Sequence, residues 1–449
     1  MNIVVCIKQT PVAADARLDP ITKTLVREGV NLTISSLDRR ALLESIRLRQ
    51  ETGGTVTVIT MGPAQAKSAL VECLALGADK AVHLVDRAFA GADTLATART
   101  LAQAIKKLAP DLVVCGKLTI DSETAQVPSE MAEFLGMPQV TSARKIKPVA
   151  GNAALWVEQE TDEGCERYEV TLPAVLSVTE LVIAGRRPTP EELQAASGKE
   201  VVTWTAADLG GDPSGYGQTG SPTRVVELRS AELERKGVVV TTEDPKEAAE
   251  RLKEYMVASG LFRPRASQVK LKQRPPLPSS ADPKKAVWVY VELVAGKPRP
   301  VTYELLGAAH DLASGLGGEV AAVMIGGPDV QSLIPELGAH GADTVYMLHG
   351  DAYASYDTER YTGVLASAVR RHNPHVFLLP STTIGRDLAP RLAARLQIGL
   401  TGDCIGLELE PSGEIAQIKP AFGGNIVSPI YSRTRPVMAT VRPGMLTPL

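Results

Sequence analysis

The 449 residues carry 48 Lys and Arg against 51 Asp and Glu, a net charge of −3, with 44% hydrophobic and 22% charged residues. That balance suits two or three globular domains with real cores, and it lacks the basic excess of a nucleic-acid-binding protein. No apolar run approaches the roughly 18 residues of a membrane span, and "MNIVVCIKQTP" has no signal-peptide pattern, so no membrane span and a cytoplasmic location are expected.

In chain order, the first copy of a βα pattern runs through the apolar stretches "NIVVCI", "TVTVITM", "KAVHLV" and "DLVVCG". Valine, isoleucine and leucine runs without alternation suit strands covered on both faces. Between them lie amphipathic stretches such as "DTLATARTLAQAIKKLAP", which puts Leu95, Ala98, Leu101, Ala102 and Ile105 on one helical face. Five cysteines form no CxxC pair, and the six histidines form no HExxH motif, so no metal site is expected. Cys6 and Cys115 sit in apolar runs and read as small buried hydrophobes.

After "DLVVCG" comes "KLTIDSETAQVPSEMAEFLG", polar at first and then helical, with Pro128 marking the first turn. In open parallel sheets ligands lie beyond the carboxyl ends of strands, where a loop opens into a helix N-terminus. The amides near Thr124 to Val127 are therefore placed to meet an anion. The bland alternative is that Asp121, Ser122 and Thr124 merely cap the helix.

Residues 186–284 change character: "AGRRPTPEELQAASGK", "GGDPSGYGQTGSPT" and "KLKQRPPLPSSADPKK" are rich in Pro, Gly and Ser. Only "DPKEAAERLKEYMVASGL" reads as a clear helix, with Ala248, Leu252 and Met256 on one stripe. The stretch reads as an arm crossing the other domain and ending in a Pro-rich tether. "GYGQTG" matches GxGxxG but has no strand before it and no helix after it, so it reads as a loop.

The chain then repeats itself. "GGTVTVITMGP" at 53 returns as "GGEVAAVMIGGP" at 317, "ALGADKAVHL" at 75 as "AHGADTVYML" at 339, and "KKLAPDLVVCGKLTI" at 106 as "RRHNPHVFLLPSTTI" at 370. Three blocks in one order at one offset of 264 residues mean a duplicated domain. The expected fold is α/β: two duplicated parallel-sheet nucleotide-binding-like domains, 1–185 and 285–449, joined by an extended arm, 186–284.

The pieces "VVCIKQTP", "LDPITKTLVREGV", "ISSLDRRALLESIRL", "ALGADKAVHL" and "GKLTIDSETAQV" resemble the beta subunit of electron transfer flavoproteins. "VTYELLGAAHDLA", "TTIGRDLAPRLAARLQIGLTGDC", "KPAFGGNIVSPI" and "MATVRPGM" are similar to the N-terminal domain of the alpha subunit. The resemblance implies a beta subunit fused to that domain, with the alpha FAD domain expected on a separate chain or trimmed away. It implies an electron carrier between flavin-containing dehydrogenases and an electron-accepting oxidoreductase, not a stand-alone catalyst. The short "DSETAQV" form is similar to members that hold a second FAD and can bifurcate electrons; a longer form belongs to members that hold AMP. By carry-over the nucleotide site comprises Asp121, Thr124, Ala125, Gln126 and Val127, with Cys6, Ser35, Asp38, Met61 and Gly116 around it. "ISSLD" has serines where members often have Asn-Pro, and "KPAFGGN" has Lys419 where Arg is usual. The segment "RRPTPEELQAA" lies where the family carries a loop that docks dehydrogenases. The alternative function is a non-redox adenine-nucleotide-binding module or scaffold on the same fold.

Overall fold

A computed structural model describes residues 1–12, 31–230, 238–261 and 281–449. The block "LDPITKTLVREGV" and most of the Pro-rich tether lie outside the described residues.

The first half supplies strands β1 (Asn2–Cys6), β2 (Thr55–Met61), β3 (Lys80–Leu84), β4 (Leu112–Gly116), β5 (Gln139–Pro148), β6 (Ala154–Thr161), β7 (Gly164–Thr171) and β8 (Ala174–Val178). A short strand β9 (Val202–Trp204) completes a nine-stranded sheet in the order β9-β3-β2-β1-β4-β8-β5-β6-β7. The members from β9 to β5 run parallel, and the pairings β5–β6 and β6–β7 are antiparallel. Helices α1 (Ser36–Thr52), α2 (Lys67–Leu76), α3 (Thr94–Leu108) and α4 (Val127–Leu135) cover its two faces. On α3, Leu95, Ala98, Leu101, Ala102 and Ile105 are all buried, as their 3.6-residue spacing requires.

The segment read as the start of the arm departs from its compositional reading. Helix α5 (Pro190–Ala196) begins at a capping box made by Thr189 and Glu192, and β9 pairs with β3. Three residues are too few to show period-two alternation, which is why the strand was not legible. Further on, β10 (Thr223–Val225) and β11 (Arg229–Ser230) leave the first sheet altogether. Helix α6 (Pro245–Ala258) forms where its pattern predicts, but its stripe enters no core: Leu252 is 54% exposed, Ala248 and Met256 are only partly covered, and no residue of the helix is buried. "GYGQTG" is a loop, held down by Tyr216, whose hydroxyl donates to Gln103 at 2.5 Å.

The second half supplies β12 (Val287–Val291), β13 (Val320–Gly326), β14 (Thr344–His349), β15 (Val376–Pro380), β16 (Leu400–Cys404), β17 (Gly406–Leu409), β18 (Ile415–Ala421), β19 (Ile426–Ser432) and β20 (Val437–Val441). Its helices include α7 (Val301–Leu316), α8 (Thr358–His372) and α9 (Thr383–Leu396). The core sheet runs β14-β13-β12-β15-β20-β16, all parallel. Strand for strand this repeats β3-β2-β1-β4-β8-β5 of the first half. The two copies differ in what they insert before the last core strand: a hairpin that extends the first sheet, against β17–β19, which form a separate antiparallel sheet. The arm strands β10 and β11 pair with β19 in that sheet, so residues 223–230 cross onto the second half.

Equivalent helices of the two copies meet. Glu133 on α4 accepts Arg391 Nε at 3.1 Å and Arg395 Nε and Nη2 at 2.6 and 2.8 Å, both from α9. Asp387, one turn before Arg391, takes Gln139 Nε2 at 2.7 Å and Thr141 Oγ1 at 3.1 Å from β5. Arg391 is only 2% exposed, so removing Glu133 leaves a buried guanidinium with the longer, exposed pair to Glu359 at 3.7 Å. Glu133→Ala should cost about 3 kcal/mol of stability, read from urea unfolding. A chain cut at a protease site placed within residues 274–280 should still elute as one particle; separate elution of the halves would refute this packing.

Candidate functional site

The carboxyl ends of β1, β2, β3 and β4 open into a cavity of about 880 Å³. That volume lies within the ~300–1,000 Å³ of small-molecule and cofactor sites. Of the ten residues singled out from the sequence, Cys6, Asp38, Met61, Gly116, Asp121, Thr124, Ala125, Gln126 and Val127 line it. Ser35 does not. It stands behind the wall at the N-cap of α1, buried, its amide donating to the Lys8 carbonyl at 3.0 Å.

Asp38 holds the floor together. Its Oδ2 accepts the Lys8 amide at 2.9 Å and its Oδ1 the Gly116 amide at 3.0 Å, so one carboxylate ties the ends of β1 and β4. Position 116 admits only glycine, because a Cβ there would lie 2.4 Å from Asp38 Oδ1. Burial pushes the Asp38 carboxyl up to about 7, against the pull of those two amides and of Lys8.

The loop from 117 to 126 does not cap helix α4. Asp121 instead accepts Lys8 Nζ and Thr119 Oγ1, each at 2.6 Å, and no side chain satisfies the helix start at Gln126. Pro128 occupies the helix's first turn, and among the described residues the amides of Thr124, Ala125, Gln126 and Val127 donate to nothing. Glu123 and Ala125 lie at φ 49° and 55°, and Gln126 returns to −98°. Alternation of left- and right-handed residues turns successive amides inward as an anion-binding nest.

The roof was not legible in sequence. It comes from the arm (Thr223, Val225, Leu228) and the second half (Leu400, Thr401, Gly402, Lys419, Ala421, Ser428, Ile430). Asp93 seats the arm there, accepting the Thr223 amide at 3.0 Å and its hydroxyl at 2.7 Å. Lys419 is only 4% exposed, yet its Nζ donates to the Glu123 carbonyl at 3.0 Å and forms no ion pair among the described residues. Burial pulls its ammonium below the usual lysine range, while Asp403 opposes this from a distance.

Two buried donors on residues of the wall, Gln126 Nε2 and Thr401 Oγ1, have no hydrogen-bond partner among the described residues. Gln126 is oriented by Thr94, whose hydroxyl lies 2.7 Å from Gln126 Oε1 and 3.0 Å from Oε1 of Glu130. Burial raises the Glu130 carboxyl well above its ordinary value. Gly402 gives Gln126 room, since a Cβ there would lie 2.5 Å from Nε2. The residues of the wall thus include a lysine, a primary amide and a hydroxyl beside a run of backbone N–H groups without acceptors. Free backbone N–H groups beside a buried lysine favour an acceptor-rich, anionic occupant.

The electron transfer flavoprotein domain, as a family model, matches residues 22–209 and 287–449, well over half of the sequence. The chain belongs to the electron transfer flavoprotein family. The beta subunit of the electron transfer flavoprotein of Clostridium acetobutylicum is 47% identical over 240 residues, 54% of this chain and 92% of the relative. Protein FixA of Azorhizobium caulinodans is 43% identical over 232 residues, 50% of this chain and 83% of its own length. The caffeyl-CoA reductase–Etf complex subunit CarD of Acetobacterium woodii is 40% identical over 243 residues, 54% and 92% of the respective chains. Each match spans about half of this electron transfer flavoprotein chain, and the beta-type identity rests on it. Among the described residues no helix is long and apolar enough to cross a membrane.

The carboxyl of Asp38 gives a signed pH dependence. With its folded value near 7 against about 3.8 unfolded, the native state binds more protons between those limits. Stability should therefore fall as pH rises from about 4 to about 7. Asp38→Asn should flatten that slope in urea midpoints measured across the window; an unchanged slope would exclude Asp38 as its source.

Proposed function

We propose that this cavity holds the nucleotide portion of FAD and that the chain is the beta subunit of an electron transfer flavoprotein fused to the N-terminal domain of an alpha subunit. In this reading residues 1–185 form the beta-type domain, 186–284 the arm and tether, and 285–449 the alpha-type domain. The observation that carries it is the meeting on one cavity of Lys419, Gln126, Thr401 and the amides of Thr124–Val127: Lys419 Nζ has one carbonyl as acceptor, and among the described residues Gln126 Nε2, Thr401 Oγ1 and the four amides have none. A pyrophosphate supplies oxygens for such a set, the amides at the start of α4 adding the favourable end of the helix dipole.

FAD, when bound, supplies the redox chemistry; the protein binds it, orients it and excludes water. Asp38 and Gly116 keep the strand ends apart at a set distance, Cys6 and Met61 give the floor a soft apolar surface, and the arm closes the roof. Electrons would pass from flavin-containing dehydrogenases to an electron-accepting oxidoreductase, with a further FAD domain as a partner. The similarity to CarD, a subunit of a caffeyl-CoA reductase–Etf complex, supports such an assembly.

The purified chain should release FAD on denaturation and show flavin bands before it. Release of AMP from colourless protein would move the redox work elsewhere, and failure of both nucleotides to bind would favour a scaffold. Lys419→Met should weaken nucleotide binding about tenfold to a hundredfold, the value of a charge-assisted hydrogen bond. The same variant, freed of nucleotide, should unfold no more easily than the parent, because it loses an unpaired buried charge. Unchanged affinity would place the phosphates away from Lys419.

A further inference from the structure

Cys6 and Cys115 are exact cross-strand neighbours: Cys6 on β1 pairs in register with Cys115 on β4 in the parallel ladder. Paired residues on adjacent parallel strands point to the same side of the sheet, and their Cα atoms lie about 4.8 Å apart. That falls inside the ~4.4–6.8 Å window over which a disulfide spans two Cα atoms. Both thiols belong to the same apolar cluster, and both line the cavity. Cys73 and Cys404 are equally buried but line no cavity described here, and Cys165 is exposed on the hairpin. The two strand ends are also fixed relative to each other, since Asp38 accepts the amides of Lys8 and Gly116 just beyond the two cysteines.

We propose that Cys6 and Cys115 form a redox-active dithiol on the cavity floor, one that exchanges with small-molecule disulfides entering the cavity. The thiolate of one cysteine attacks a sulfur of the disulfide RSSR, expels RS⁻ and forms a mixed disulfide. The second cysteine then attacks the protein sulfur of that bond and expels the other RS⁻. The net change is Cys6–SH + Cys115–SH + RSSR → Cys6–S–S–Cys115 + 2 RSH, so the protein loses two electrons and two protons to the reagent. Donation of the Cys115 S–H to Cys6, together with burial, pushes the Cys115 thiol up, so exchange is slow at neutral pH and quickens as pH rises. A ligand seated on the floor would shield both thiols, so the exchange is read on the chain freed of nucleotide. Its consequence is a covalent tie between β1 and β4 at the place where Asp38 already joins them.

The test uses the full chain carrying Cys165→Ser, which removes the exposed thiol and leaves four of the five cysteines. Treated natively with hydroxyethyl disulfide at pH 8, it should lose two hydrogens in intact mass. Thiols titrated in denaturant should fall from four to two, a peptide linking Cys6 to Cys115 should appear, and dithiothreitol should reverse all three. Four unreacted thiols, or stable adducts on Cys6 or Cys115 without a cross-link, would overturn the proposal. At least one of Cys6→Ser and Cys115→Ser should trap the remaining cysteine as a mixed disulfide; trapping in neither would overturn the exchange route.

Discussion

The cavity depends on where helix α4 is held, and α4 is held by the other copy of the domain. Near its C-terminal end Glu133 takes Arg391 and Arg395 of α9, and β5 behind it takes Asp387 through Gln139 and Thr141. A buried Arg391 makes this contact intolerant of small shifts, since a displaced Glu133 would leave the guanidinium only the exposed Glu359, 3.7 Å away, as counter-charge. With that end fixed, the N-terminal turn of α4 points its free amides at the cavity. The same docking brings Thr401, Gly402 and Lys419 over the opening. Interface and site are one construction.

Duplication explains the form of the interface, and divergence explains why the large cavity lies in the first half. Two copies with the same strand order meet through the same helix, as approximate two-fold pairing demands. At the equivalent place, however, the copies differ in loop length. Between β4 and α4 lie residues 117–126, room for a nest; between β15 and α9 lie only Ser381 and Thr382. The N-terminus of α9 is met from within the protein: the Thr383 amide donates to Asp162 Oδ2 at 2.8 Å. Arg299 bonds Asp162, Glu163 and Glu292 around it. Burial pushes the Glu292 carboxyl up to about 7 even beside that arginine. In the second copy a hairpin carboxylate from the first stands where an external anion would otherwise meet the helix.

Electron carriage asks little of protein side chains as acids or bases, and the cavity is built accordingly. Its titratable groups serve geometry: Asp38 spaces two strands, Asp93 seats the arm, and Glu130 backs the hydroxyl that orients Gln126. Lys419 is the exception. A buried ammonium bonded to a single carbonyl suits an anionic occupant better than it suits the protein alone.

Sequence by itself determined the parallel sheets, the duplication and the position of the candidate loop. Apolar runs, helical periodicity and a constant offset are local or repeated signals, and "DSETAQV" sits directly after a recognisable strand. Nine of its ten named residues line one cavity because strand ends in a parallel sheet converge by topology; Ser35 misses because the helix it starts turns its side chain behind the wall. Tertiary structure alone decided three things. It showed that, among the described residues, no side chain caps α4, which depends on where Asp121 points. It supplied the roof, because Lys419 and Thr401 reach the loop from nearly 300 residues away and no short-range pattern records such a meeting. It also set Cys6 beside Cys115, a pairing that exists only once β1 and β4 are in register.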